Sequence, residues 1–260
     1  MENIYKAKTA KLKVATFDID NNTANFPQRI YNLANILLKK KFDIICLQED
    51  FNSDDFSSGK FLNLELDYNY ISIKTRVKKR DSSLSSSNLT VLSKYEINLL
   101  DTIYFNKDKN EERAAMFLEV FFDDKKILLV NTQLCTLNNS RRIAQIREIL
   151  NKTNCYNDFD VTMLCGNLNA LSSYKEIRLI EDNGFIKKNK QFTHEDKVIL
   201  DYIFVKTEKK LNIQSKILLE GFSKHHCLLN TLIFPSISSW YSIFLVFKNL
   251  NILIFSDVNS

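Results

Sequence analysis

One design recurs in this chain and limits what it can fold into: an apolar run of strand length that stops abruptly at polar residues. Val161-Thr162-Met163-Leu164-Cys165 stops at Gly166-Asn167-Leu168-Asn169-Ala170, and Asp43-Ile44-Ile45-Cys46-Leu47 stops at Gln48-Glu49. Val198-Ile199-Leu200-Asp201-Tyr202-Ile203-Phe204-Val205 sets a single carboxylate inside an apolar run. Short apolar, β-branched runs bounded by turn residues point to buried strands. A lone carboxylate in such a strand is costly to bury unless it is paired or holds a metal. Several strands therefore aim polar groups at one place.

Taken in order, Lys11 to Ile19 reads as a strand stopped by Asp18-Ile19-Asp20-Asn21-Asn22. Asn25 and Pro27 read as the cap and first turn of a helix whose apolar residues Ile30, Leu33, Ile36 and Leu37 recur at helical spacing. That helix returns the chain to the strand ending at Glu49, a β-α-β unit. Arg76-Val77-Lys78-Lys79-Arg80 and the serine-rich 82–87 beyond it read as a solvated loop, with a phosphate-binding arm as the alternative. Strands are expected over Asn88 to Leu92, Tyr95 to Ile103, Ala114 to Phe122 and Lys126 to Thr132. Asn139 or Ser140 is the expected cap of a helix through Leu150 that turns Ile143, Ile146, Ile149 and Leu150 inward and Arg142 and Gln145 elsewhere. Ser173 and Glu176 are spaced as a capping box, and Gly184 is the matching stop. Strands over Ile213 to Leu219 and Leu228 to Phe234 flank Ser223-Lys224-His225-His226.

With 45% hydrophobic residues, a chain of 260 residues supports a substantial core. The motif pattern spans both halves, so one domain is expected over 1–234. Residues 235–260 form an apolar tail outside it, too interrupted by Lys248, Asn249 and Asn251 to cross a bilayer. The balance of 36 basic against 31 acidic residues, net +5, permits an anionic ligand without requiring one. Five cysteines without a Cys-x-x-Cys pair, and a lysine-rich start with no signal-length apolar run, point to buried thiols in a reducing, cytoplasmic setting and to a monomer.

Thr16-Phe17-Asp18-Ile19-Asp20, Leu47-Gln48-Glu49, Asn131-Thr132-Gln133-Leu134, Gly166-Asn167-Leu168-Asn169, Leu200-Asp201-Tyr202 and Ser223-Lys224-His225 occur in the order of six motifs of one family. From about Leu12 to Phe234 the chain resembles the endonuclease/exonuclease/phosphatase superfamily, the DNase I-like metal-dependent phosphoesterases. The resemblance implies an α+β, four-layered α/β sandwich, in which two mixed β-sheets pack together with helices on their outer faces. It also implies a phosphodiester or phosphomonoester hydrolase using Mg²⁺ or Mn²⁺. The substrate class stays open between nucleic acid, an inositol phosphate and a phospholipid headgroup.

By the same resemblance, Asp20 and Glu49 match metal ligands, His225 and Asn169 match phosphate contacts, and Asp201 matches the carboxylate that orients His225. Arg113 looks like the family arginine beside the scissile phosphate, a surface ion pair being the alternative. Four positions depart from the family pattern: Asp18 stands for Asn, Gln133 for His, Asn167 for Asp and Lys224 for Asp. An amide at 167 cannot take a proton from water, and such a general base is worth about 10²–10⁴ in rate, so impaired catalysis is expected. Asp18 and Asn167 are a reciprocal exchange, through which Asp18 either serves as base or metal ligand or reflects chance, Gln133 and Lys224 having no evident compensation. The rival expectation is a non-catalytic module that binds a phosphorylated ligand or nucleic acid, with Lys224 standing in for a cation's charge.

Overall fold

The computed structural model describes residues 9–20, 25–80, 83–105 and 112–235; the proposed tail from 236 onward and Ser82 of the serine-rich stretch lie outside them. Among the described residues, β1 (Ala10–Asp18), β2 (Ile44–Ser53), β3 (Asn69–Arg80), β4 (Ser83–Ser93), β10 (Asn212–Leu218) and β11 (Cys227–Phe234) form one sheet, in the order β10-β11-β1-β2-β4-β3. The second sheet, in chain order, holds β5 (Ile97–Tyr104), β6 (Ala114–Phe122), β7 (Lys125–Gln133), β8 (Val161–Asn167) and β9 (Asp201–Lys206). Both sheets are mixed, since β1 runs parallel to β2 and β7 parallel to β8 while the other pairs are antiparallel.

Alternation along the strands sorts the core into layers. Leu12, Val14, Ile44, Cys46, Met116, Leu118, Leu129, Met163 and Leu228 meet between the sheets. Ala15, Phe17, Ile45 and Leu47 face outward against Ile30, Leu33, Ala34 and Leu37 of α1 (Phe26–Lys40). Phe117, Leu128, Val130, Leu164 and Phe204 do the same against α3 (Asn139–Thr153) and α4 (Lys175–Asp182). The short α2 (Ser58–Asn63) packs its Leu62 on the first of these outer layers. The result is the expected four-layered sandwich of the DNase I-like class. Among the described residues no helix is long and apolar enough to cross a membrane.

Each parallel pair is joined by a helix, α1 or α3, and such a crossover returns the second strand with the same end at the same edge. The carboxyl ends of β1, β2, β7 and β8 therefore share one rim. Asp18 lies beside Gln48, and Gln133 beside Asn167, which is in turn paired with Asp201.

Several local expectations change in three dimensions. The stretch from Arg76 to Ser87 is no loop: β3 and β4 pair out to Arg80 and Ser83, with a register shift between Lys74 and Arg76 and a bond from Thr75 Oγ1 to Ser87 O of 2.7 Å. Long-range pairing overrides the polar composition. β2 does not end at Glu49; it bulges there, where Glu49 takes a left-handed φ of 54°, and continues to Ser53. Asn25 sits at the start of α1 in a left-handed conformation and makes no side-chain cap, and Asn138 rather than Asn139 or Ser140 caps α3, accepting from Arg141 N at 3.2 Å. Arg142 and Gln145 are buried, and Ile143 is only half-buried. The Ser173–Glu176 capping box does not form: Tyr174 occupies the cap position, and Glu176 instead meets Arg142 at 2.9 Å, tying α4 to α3. The strand expected from Val198 starts only at Asp201.

Candidate active site

At the shared rim, Asp18, Asp20, Glu49, Arg113, Gln133, Asn167, Asn169, Lys224 and His225 line one open cleft of about 300 Å³, with Arg76 and Thr136 beside them. Asp201, fully buried, stands behind His225. Every position singled out from the sequence is thus brought to one place, although these residues come from both sheets and from separate strand ends and loops.

Asp18 is the hub. Its Oδ2 accepts from Asn167 Nδ2 at 2.9 Å and from Gln133 Nε2 at 3.0 Å, and lies 4.0 Å from His225 Nε2. Gln133, for which the sequence offered no compensation, is therefore a donor to the Asp18 carboxylate. Burial pushes the Asp18 carboxyl up to about 6, against the lowering effect of His225 and of the Asn167 amide. A group tuned there holds or releases a proton near neutral pH.

His225 Nδ1 is 2.9 Å from Asp201 Oδ2, a pairing that fixes the ring and favours its charged form. Burial works against that charge, but the Asp201 carboxylate outweighs it and the ring is raised to about 9. Asp201 is itself set by Thr193, whose Oγ1 accepts the N–H groups of Leu200 and Asp201 at 2.9 and 3.0 Å. The ring of His194 packs edge-on against that of His225, centroids 4.7 Å apart. His226 is no part of the cleft lining.

Glu49 is bracketed by arginines. Its Oε1 lies 3.0 Å from Arg113 Nη1, and its Oε2 lies 2.7 Å from Arg76 Nη2 and accepts from Ser87 Oγ at 2.8 Å. Burial raises this carboxyl, but the guanidinium groups of Arg113 and Arg76, with Ser87, hold it below its ordinary value. Arg113 is thus neither on the surface nor alone, its side chain being only 6% exposed. The sequence missed Arg76 and Ser87, which lay in the stretch read as loop; a basic residue within reach of a strand-end carboxylate was the available signal.

A divalent cation needs several hard oxygen ligands. Here both Glu49 oxygens face guanidinium groups, Asp18 accepts from two side-chain amides, and Lys224 lines the same cleft. Among the described residues no three His, Cys, Asp or Glu side chains converge as a metal cage. As arranged, the residues do not fit the cation that the resemblance implies.

The scaffold beneath is polar and cross-linked. Gln48 Nε2 donates to Asn131 Oδ1 at 2.7 Å, and Asn131 Nδ2 to Leu47 O at 3.1 Å, joining the two sheets under the cleft. Asp50, fully buried, accepts from Ser58 Oγ, Gly59 N and Thr90 Oγ1 and so anchors the bulge that presents Glu49. Arg29 donates to the carbonyls of Ile19, Asp20 and Phe222, and Ser223 Oγ donates to Asp18 O at 2.8 Å, fastening the His225 loop to the end of β1. Such anchoring groups carry no periodic signal, and sequence reasoning passed over Arg29 and Asp50 and turned Arg142 the wrong way.

Comparison with solved structures shows the same architecture elsewhere. An endonuclease/exonuclease/phosphatase family protein from Leptotrichia buccalis superposes with a TM-score of 0.70 at 18% identity, covering 84% of this chain and 98% of the other. One from Bacteroides vulgatus gives 0.68 at 18%, covering 87% and 100%. Truncated Caenorhabditis elegans TDP2 gives 0.64 at 19%, covering 85% and 97%. At these identities the likeness is one of fold. A search of curated proteins finds no match. The sequence model of one family does align, across residues 14–225, from the strand that carries Asp18 to the histidine held by Asp201. On that evidence the chain belongs to the endonuclease/exonuclease/phosphatase family.

Proposed function

We propose that this protein binds the phosphoryl group of a phosphate ester in the rim cleft and hydrolyses it slowly. The observation that carries this reading is the His225–Asp201 pair at 2.9 Å in a cleft also lined by Asn169, Arg113 and Lys224. A histidine held charged beside an arginine and a lysine is a set of donors for phosphate oxygens. Nucleic acid, inositol phosphate and phospholipid headgroup all present that group, and the cleft's chemistry is common to them.

The reaction half of the site is weaker. Asn167 donates from Nδ2 to Asp18 and accepts at Oδ1 from Asn169 N at 2.9 Å, so it holds groups in place and cannot serve as a base. Gln133 likewise donates. The cation that the family generally uses would neutralise phosphate charge and activate water, but Glu49, which matches one of its ligands, is engaged by Arg76 and Arg113.

One observation favours catalysis by exchange. Asp18 is the carboxylate at the centre of the cleft, and its proton affinity, near pH 6, suits a base that orients water toward a phosphorus held by His225. In this reading Asp18→Asn abolishes turnover while leaving binding in place.

The test is one panel measured twice, for binding and for turnover. The compounds are a dinucleotide, an inositol phosphate, a phospholipid headgroup ester and a generic aryl phosphodiester, each with Mg²⁺, with Mn²⁺ and with EDTA. Binding of one class, lost in His225→Ala, with turnover far below that of family members carrying Asp at the position of Asn167, is expected. Absence of binding by every class would remove the reading.

A further inference from the structure

The sense of charge in the cleft points one step further, and this step rests on the reading of the cleft as a phosphate-ester site. Glu49 is 7% exposed, and a carboxylate so placed must be paired. Among the described residues it pairs with Arg113 through Oε1 and with Arg76 through Oε2. Two guanidinium groups, each a positive charge, thus bracket this one carboxylate. Lys224 adds another across the same cleft. Among the described residues that line the cleft, the remaining carboxylates are Asp18 and Asp20, and Asp18 already accepts from two amides and faces the ring of His225.

A divalent cation entering here would have to draw Glu49 away from two guanidinium groups and stand near a lysine ammonium. An oxyanion meets the opposite situation. Guanidinium carries five N–H donors in a rigid fork, and one arm of Arg76 is fixed by Glu49 and by Ser87 Oγ at 3.1 Å. Its Nε is buried with no partner. Glu49 thus serves to aim the arginines, as a second carboxylate, Asp201, serves to aim His225.

We infer that the cleft takes its phosphate ester without a divalent cation, the charge of the phosphoryl group being met by Arg76, Arg113 and Lys224. Arg76 is then a phosphate-binding residue, delivered by the extension of β3 beyond the point where the polar composition suggested a loop.

Thymidine 5′-monophosphate, with thymidine as control, is titrated calorimetrically into the full chain in EDTA and again in excess Mg²⁺, and Mn²⁺ binding is followed by electron paramagnetic resonance. The nucleotide should bind in EDTA, Mg²⁺ should not tighten it, and bound Mn²⁺ should be absent. Arg76→Ala and the surface change Lys224→Ala should each weaken binding by about tenfold, the loss of one charge-assisted contact. Arg76→Lys, which keeps the charge but not the fork, should fall between wild type and Arg76→Ala, and circular dichroism reports whether each variant is folded. Binding that requires Mg²⁺, or Arg76→Ala and Arg76→Lys that fold and bind as tightly as wild type, would overturn the inference while leaving the phosphate-site reading intact. No binding in either buffer would overturn both.

Discussion

The turns that end β1 and β8 share one backbone design and differ in charge. In the first, Asp18 Oδ1 accepts from Asp20 N at 3.1 Å, and Asp20 has a left-handed φ of 39°. In the second, Asn167 Oδ1 accepts from Asn169 N at 2.9 Å, and Asn169 has a φ of 49°. Asp and Asn both form such turns and tolerate that backbone, because each offers the same short side-chain oxygen. The remaining atoms of the two leading side chains face each other, Nδ2 of one donating to Oδ2 of the other. Geometry therefore permits either residue in either turn, while electrostatics asks for one charge between them. Here that charge sits on Asp18, at the end of β1.

The strongest way to break this equivalence is Asn167→Asp alone, which sets two buried carboxylates at hydrogen-bond distance. It should destabilise the fold by about 3 kcal/mol in neutral buffer and much less in acid, where one of the pair is protonated, as urea unfolding at two pH values will show. Adding Asp18→Asn should recover most of that loss, with a coupling of about 2 kcal/mol in the double-mutant cycle. Strict additivity would mean that the turns do not communicate.

The third residue of each turn gives a second contrast. Asn169 Nδ2 donates to Leu134 O at 2.9 Å, a bond that Asn169→Ala loses in addition to straining a left-handed residue. That variant should cost about 2 kcal/mol, and Asp20→Ala about 1 kcal/mol, in thermal unfolding.

A pH titration sharpens the contrast without mutation. The folded-state value of Asp18 lies above its ordinary 3.8, so the folded form binds the proton more tightly; this stabilisation is complete below 3.8 and is lost as pH rises through about 6. His225 is raised from 6.5, so its contribution is complete below 6.5 and is lost as pH rises through about 9. Stability should fall in two steps on alkalinisation. Asp18→Asn should erase the lower step, and Asp201→Asn should shift the upper step down, with the His225 ring tracked by NMR. A comparably small effect is expected at Ser223→Ala, which removes the hydroxyl that donates to Asp18 O and accepts from His225 N and should cost about 1 kcal/mol in the same thermal unfolding.

Local rules read much of this molecule correctly. The β-α-β unit from β1 to β2 and the stop at Gly184, with its φ of 85°, arise from apolar periodicity and turn chemistry acting over a few neighbouring residues. The resemblance carried by the order of motifs implied that Asp20, Glu49, Asn169, Asp201 and His225 meet, and in the fold all but Asp201 line one cleft, with Asp201 behind His225. Local rules failed where a charge found a distant partner. A basic run looks the same whether it faces water or a carboxylate, and Arg76 meets Glu49 across 27 residues of chain, Arg113 across 64. Arg142 and Glu176, read as a surface arginine and a cap, are joined across 34. Amino-acid order alone settles which residues carry polar chemistry to a strand end, since the energetic cost of leaving them inside an apolar run is local. Which charges cancel, and which remain to meet a ligand, is settled in three dimensions, because the energy of an ion pair depends on distance in space and on shared burial, neither of which spacing along the chain records.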